Sequence, residues 1–164
     1  LLKTGQSHGL PMRILDAVEA VNYDQKRLMV ALIKHQLGQD LTGRKIAMWG
    51  LAFKPDTDDM REAPSITIAR GLIEAGASVI AHDPAARETA FVELGDTVAY
   101  AGQPEDCLDH ADALVLVTEW PDYQTPDWSD VARRLSGCHV FDGRNIWSED
   151  AITSAGLAYH GIGR

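Results

Sequence analysis

Only two of the 164 residues are cysteine, Cys107 and Cys138. They are too few and too far apart for a disulfide framework or a zinc site, so a packed core in a reducing cytoplasm is expected to hold the fold. Positive charge is scarce too. Lys and Arg number 15 against 24 Asp and Glu, a formal charge of -9, which disfavours broad binding to nucleic acids or anionic membranes, since both require a basic face. An anionic small ligand must then be held by a few local cations. No apolar run approaches the roughly 20 residues that span a bilayer, and the N-terminus lacks the basic-then-apolar pattern of a signal peptide. The chain opens at Leu1 rather than methionine and reads as part of a longer protein. What is present, 45% hydrophobic and 24% charged residues, is ordinary globular composition for one good-sized core.

Gly9 and Pro11 precede a segment from Met12 to Leu37 in which Ile14, Leu15, Val18, Val21, Leu28, Leu32 and Ile33 recur at helical spacing. At 1.5 Å per residue such a helix approaches roughly 40 Å. Two ordinary helices broken at Asn22-Tyr23 are the plainer reading; a single connecting helix ending at Gly38 fits the pattern better. After the polar linker from Gln39 to Arg44, strand and helix patterns alternate. Strands are expected at Lys45 to Gly50, Ser78 to His82, Thr97 to Tyr100, Ala113 to Thr118, His139 to Asp142 and Leu157 to His160. Helices are expected at Pro64 to Ala75, Ala86 to Leu94, Pro104 to His110 and Asp127 to Leu135. This predicts an α/β fold: a Rossmann-like parallel sheet with helices on both faces, preceded by a long helix. Ligands of such sheets sit beyond the carboxyl ends of the strands, where the strand order reverses. Three loops should meet there, carrying Phe53-Lys54, Glu119-Trp120 and Gly143-Arg144-Asn145.

The loop after the first strand breaks a rule. A nucleotide-binding α/β domain normally turns there on G-x-G-x-x-G, but residues 49 to 65 read WGLAFKPDTDDMREAPS. A long polar loop places Lys54 and Arg61 where phosphate is usually received, which points to side-chain capture of a diphosphate. Phe53 and Pro55 restrict Lys54 so that its ammonium can act as a point charge, and the planar fork of Arg144, in FDGRN, suits phosphate or ribose oxygens. The alternatives are a solvated lysine and an arginine paired with a nearby acid. Asp56 and Asp58 have the spacing that opens a calcium loop, yet Arg61 and Thr67 stand where that loop needs glycine and glutamate, so no metal is expected. Asp83 ends the second strand where a ribose-reading acid can sit, although Asp-Pro is more often simply a turn. The histidines show no metal-ligand spacing, and neither cysteine has a neighbour in sequence that would activate it.

The segment WGLAFKPDTDDMREAPS, together with AVEAVNYDQK, AHDP, ALVLVTEW, FDGRN and the closing YHGIG, resembles the C-terminal part of the UDP-glucose/GDP-mannose dehydrogenase family over nearly the whole chain. The resemblance implies a three-part enzyme with an N-terminal NAD-binding domain, a central dimerisation helix and a C-terminal domain that holds the nucleotide of a nucleotide-sugar. It implies oxidation of the sugar C6 alcohol to a carboxylate in two hydride transfers to NAD, through cysteine-bound intermediates. The catalytic cysteine and the NAD fingerprint belong to the part of the family sequence that precedes Leu1. On this likeness residues 1–38 are the dimerisation helix region and 39–164 the UDP-binding domain. Phe53, Lys54 and Arg144 match the family's substrate-binding residues, and Arg61 the arginine that reaches NAD. The TEW and FDGRN motifs resemble the UDP-glucose branch, so UDP-glucose is the expected partner and a homodimer the expected assembly. The alternatives are a GDP-mannose or UDP-N-acetylmannosamine branch, or a nucleotide-binding and dimerisation module without catalysis.

Overall fold

The computed structural model describes residues 13–163; Gly9, Pro11 and Met12, at the expected helix start, lie outside them. Helix α1 (Arg13–Leu37) is continuous over 25 residues, so no break occurs at Asn22-Tyr23. Asp16 in its first turn and Lys34 and His35 in its last complement the helix dipole. Its C-terminal half joins the core through Met29 and Ile33, whereas Ile14, Val18 and Val21 are exposed. It packs on α2 (Pro64–Glu74). Gly71 permits the approach, because a Cβ there would lie 3.0 Å from Val30 Cγ2.

The six strands are β1 (Lys45–Trp49), β2 (Ser78–His82), β3 (Val98–Tyr100), β4 (Ala113–Leu116), β5 (His139–Asp142) and β6 (Ala158–Gly161). All pair in parallel, in the order β3-β2-β1-β4-β5-β6. Burial from both sides explains why the central strands read as unbroken apolar runs, with every residue of β4 inaccessible to solvent. Right-handed crossovers run outward from β1 in one direction through α2 and α3 (Arg87–Leu94), and in the other through α4 (Trp128–Arg134) and α5 (Glu149–Ser154). The two sets of helices therefore cover opposite faces. The order reverses between β1 and β4, whose last residues, Trp49 and Leu116, are in register.

Four local features differ from the sequence reading. The helix expected from Pro104 to His110 is one 3₁₀ turn, Pro104–Cys107, because Cys107 and Leu108 turn into the core and His110 takes a left-handed φ of 60°. Strand β4 stops at Leu116, two residues short of Thr118. Helix α5 is too short to show a period; its signal is Ser148, whose hydroxyl accepts from Ala151 N. In the linker, Leu41 is fully buried and its N–H donates to Ala75 O at 2.8 Å, which ties the end of α1 to α2.

Candidate functional site

The first loop is fixed almost atom by atom before it reaches its candidate residues. Gly50 has a φ of 90°, and a Cβ there would fall 2.5 Å from Thr118 N, so only glycine lets β1 leave the sheet across the end of β4. The next two amides, Leu51 and Ala52, donate to Asp83 Oδ2 at 2.7 and 3.0 Å. Their carbonyls accept from Ser65 Oγ and Thr118 Oγ1, each at 2.5 Å. Phe53 N then donates to Asp59 O at 2.8 Å and closes the loop. Phe53 and Lys54 are left exposed on its crest.

The third loop starts at Asp142, which is fully buried. Its carboxylate accepts from Arg144 N and Trp147 N, both at 2.9 Å, and this turn aims the Arg144 side chain back across β4. There Arg144 Nε donates to Val117 O at 2.8 Å and Nη2 to Phe53 O at 3.4 Å. Glu119 Oε2 lies 2.7 Å from the same Nε, but the N–H is directed at the carbonyl, so this buried oxygen receives no hydrogen bond. The contact is purely one of charge. Arg144 thus joins the loops after β1, β4 and β5 while its side chain stays 30% exposed.

These residues border a cleft of about 1090 Å³ between α1 and the sheet, walled by Met29, Ile68, Leu116, Val117, Phe53 and Arg144. Lys26 of α1 bridges to Glu62 of the first loop at 2.6 Å on the same cleft. The volume suits a nucleotide-sized ligand. An apolar wall, an exposed aromatic ring and a fixed guanidinium fork can together take a flat base and an anionic group.

Of the expected site residues, Phe53 and Arg144 meet directly. Lys54 stands on the same crest without belonging to the cleft wall; it makes no ion pair among the described residues, and its charge is felt by Asp59. Arg61 turns away, with Nε and Nη2 on the two oxygens of Asp59 at 2.9 and 2.7 Å and its side chain 88% exposed. The hydrogen bond from Arg61 holds the Asp59 carboxyl down to about 2. Asp83 does not face a ribose, since both its oxygens are taken by N–H groups. Sequence reasoning missed the roles of Asp83, Glu119 and Asp142; only the Asp142-Gly143 turn carried a local signal.

Burial pushes the Cys107 thiol up to about 12, which leaves it unreactive. Burial also lowers the pKa of His82, His139 and His160. His82 Nδ1 lies 2.8 Å from the Tyr123 hydroxyl, which donates to His82 O at 2.9 Å. Among the described residues no group of three His, Cys, Asp or Glu could hold a metal ion, and no helix is long and apolar enough to cross a membrane. A dinucleotide does not fit this sheet edge in the usual way. The Leu51 and Ala52 amides that would face its diphosphate are bound to Asp83, and α2 begins only at Pro64.

Residues 47–149 match the model of the UDP-glucose/GDP-mannose dehydrogenase family, UDP binding domain. The chain belongs to this family. It is 38% identical to a UDP-glucose 6-dehydrogenase of Pseudomonas aeruginosa and to one of Rhizobium meliloti, in each case over all of this chain and 37% of the relative. The structure of a UDP-glucose dehydrogenase from Pyrobaculum islandicum superposes with a TM-score of 0.80 at 38% identity, covering 98% of this chain and 34% of that one. The chain thus spans a little over a third of the length of the curated relatives it matches.

Proposed function

Taking family membership as the premise, we propose that this chain is the substrate-nucleotide-binding part of an NAD-dependent UDP-glucose 6-dehydrogenase. Residues 39–164 hold UDP, and residues 1–38 are the region through which two copies associate. Arg144 and Lys54 take the diphosphate, and Phe53 lines the base or ribose. The observation that carries the reading is the seat of Arg144: two backbone carbonyls from different loops fix a partly exposed fork on the wall of a nucleotide-sized cleft. NAD, when bound, accepts the hydride; its main seat lies outside this chain, and Arg61 supplies one lateral contact after leaving Asp59. The expected partners are a nucleotide-sugar and a second copy, with neither nucleic acid nor membrane, in the cytoplasm.

Calorimetric titration of the 164-residue chain with UDP tests the binding half of this reading. Saturable one-to-one binding that weakens in both Lys54→Ala and Arg144→Ala is expected. Wild-type UDP affinity in a folded Arg144→Ala protein would move the nucleotide elsewhere. The chain alone is expected to produce no NADH from UDP-glucose and NAD, because its buried thiol is unreactive and its first loop has no dinucleotide seat. Turnover abolished by Cys138→Ser would contradict that. In the full-length enzyme Arg61→Ala is expected to raise KM for NAD while leaving kcat and KM for UDP-glucose nearly unchanged.

A further inference from the structure

Asp83 is a buried, ionisable side chain that touches no part of the cleft. It follows β2 directly, is 7% exposed, and gathers five N–H groups. Oδ2 accepts from Leu51 N at 2.7 Å, Ala52 N at 3.0 Å and Trp120 Nε1 at 3.1 Å. Oδ1 accepts from Ala85 N at 2.9 Å and Ala86 N at 2.8 Å. The donors belong to the loop after β1, the loop after β4 and the turn into α3. A turn aspartate needs only the last pair.

We infer that Asp83 is a positioning residue for nucleotide binding, setting the height of the segment that carries Phe53 and Lys54 against the loop that carries Glu119 and Trp120. The inference rests on the nucleotide-binding reading above. Transmission is short. Asp83 fixes Ala52 N, Ala52 O is held by Thr118 Oγ1, and the next carbonyl, Phe53 O, is the seat of Arg144 Nη2. Lys54 follows directly in the chain. A carboxylate is required because it alone offers two acceptor oxygens and no donor. In the isosteric Asp83→Asn protein an amide NH₂ must face either two or three N–H groups, so whichever way it turns, one set of donors is released. Turned toward the three donors it frees Leu51 N, Ala52 N and Trp120 Nε1, and turned toward the two it frees Ala85 N and Ala86 N, so either way the link between the root of the crest and the turn into α3 is cut.

The experiment compares wild type, Asp83→Asn and Trp120→Phe as 164-residue chains, at a temperature where denaturant curves show each to be fully folded. UDP affinity is read by calorimetry and amide exchange by mass spectrometry. The wild type binds UDP; in Asp83→Asn affinity falls about tenfold, as expected when the support of a binding group is lost but the group itself remains. The released set, amides 51 and 52 or amides 85 and 86, exchanges faster in that variant while the amides of β1 and β4 keep their protection. A role confined to stability would lower the denaturation midpoint and leave the UDP affinity of the folded protein unchanged. Trp120→Phe deletes one donor and keeps the apolar ring, and it should weaken UDP by about threefold without unfolding the chain. Should Asp83→Asn fail to fold, wild-type UDP affinity in Trp120→Phe overturns the inference. Folded Asp83→Asn with UDP affinity within twofold of wild type overturns it as well. A wild-type chain that does not bind UDP overturns the nucleotide reading itself, an outcome that no Asp83 variant can produce.

Discussion

The loop after β1 and the loop after β5 lie side by side at the carboxyl edge of the sheet, and each hangs from a buried aspartate at a strand end. In the β5 loop that aspartate is its own. Asp142 accepts from Arg144 N and Trp147 N, two and five residues along the chain. In the β1 loop it is borrowed: Asp83 lies 32 residues from Leu51 and 31 from Ala52, and it arrives from β2. The β5 loop can therefore form as soon as its own chain turns. The β1 loop acquires its shape only once β2 is paired and β4 has brought up Thr118 and Trp120. The backbone that carries Arg144 is thus set by local chain geometry, and the backbone that carries Lys54 by the packing of distant strands.

The largest expected effect tests whether the local anchor is the more costly to remove. Asp142→Ala leaves the Arg144 and Trp147 amides without their acceptor, a loss of about 2 to 6 kcal/mol at roughly 1 to 3 per buried donor, measured by urea denaturation. A loss below the resolution of the method would mean that water replaces the carboxylate. The two cations give the next contrast. Arg144 is already seated on two carbonyls, whereas Lys54 must be ordered by the ligand. Arg144→Ala should accordingly weaken UDP by about 1.5 to 3 kcal/mol, with Lys54→Ala at or below the lower end. The reverse order would make the exposed crest the principal phosphate contact.

Acid sharpens the comparison from another side, because His82 adjoins Asp83 and its pKa is held below the ordinary histidine value, first by burial. A base whose folded pKa is lowered contributes stability that is complete above about 6.5 and is lost as the pH falls from there toward the folded value, since the unfolded chain takes up the proton first. His139 and His160, lowered for the same reason, add to the slope. The melting temperature should drop between pH 7 and 5, and exchange at Leu51 and Ala52 should rise before exchange at Arg144 and Trp147. His82→Phe with an unchanged pH profile would remove the β2 end from this account.

Smaller effects follow from the charges around the two loops. Glu119 sits 2.7 Å from Arg144 Nε without receiving its hydrogen bond, so it offsets positive charge where an anion is expected. Glu119→Gln should tighten UDP by about threefold, within what a partly exposed pair contributes; weaker binding would make Glu119 a ligand contact instead. The smallest effect is at Asp59. Its carboxyl should titrate near 2 by NMR and return toward 3.8 in Arg61→Ala, with no change in UDP affinity.

Much of the architecture was legible in the sequence because it depends on neighbours along the chain. The apolar run ALVLVT marked a buried strand, Asp127 and Pro64 marked helix starts, and FDGRN, just past an expected strand end, marked the loop that presents Arg144. Side-chain periodicity, caps and turns act over a few residues, and so a single sequence carries them openly. The motif around Phe53 and Lys54 likewise pointed to the loop that borders the cleft. Tertiary structure alone decided that Asp83 would hold that loop and that Arg144 would rest on Val117 and Phe53 carbonyls. The physical reason is that a buried donor takes whichever acceptor the packed strands bring within 3 Å, and that choice depends on crossovers spanning tens of residues, which no local pattern encodes.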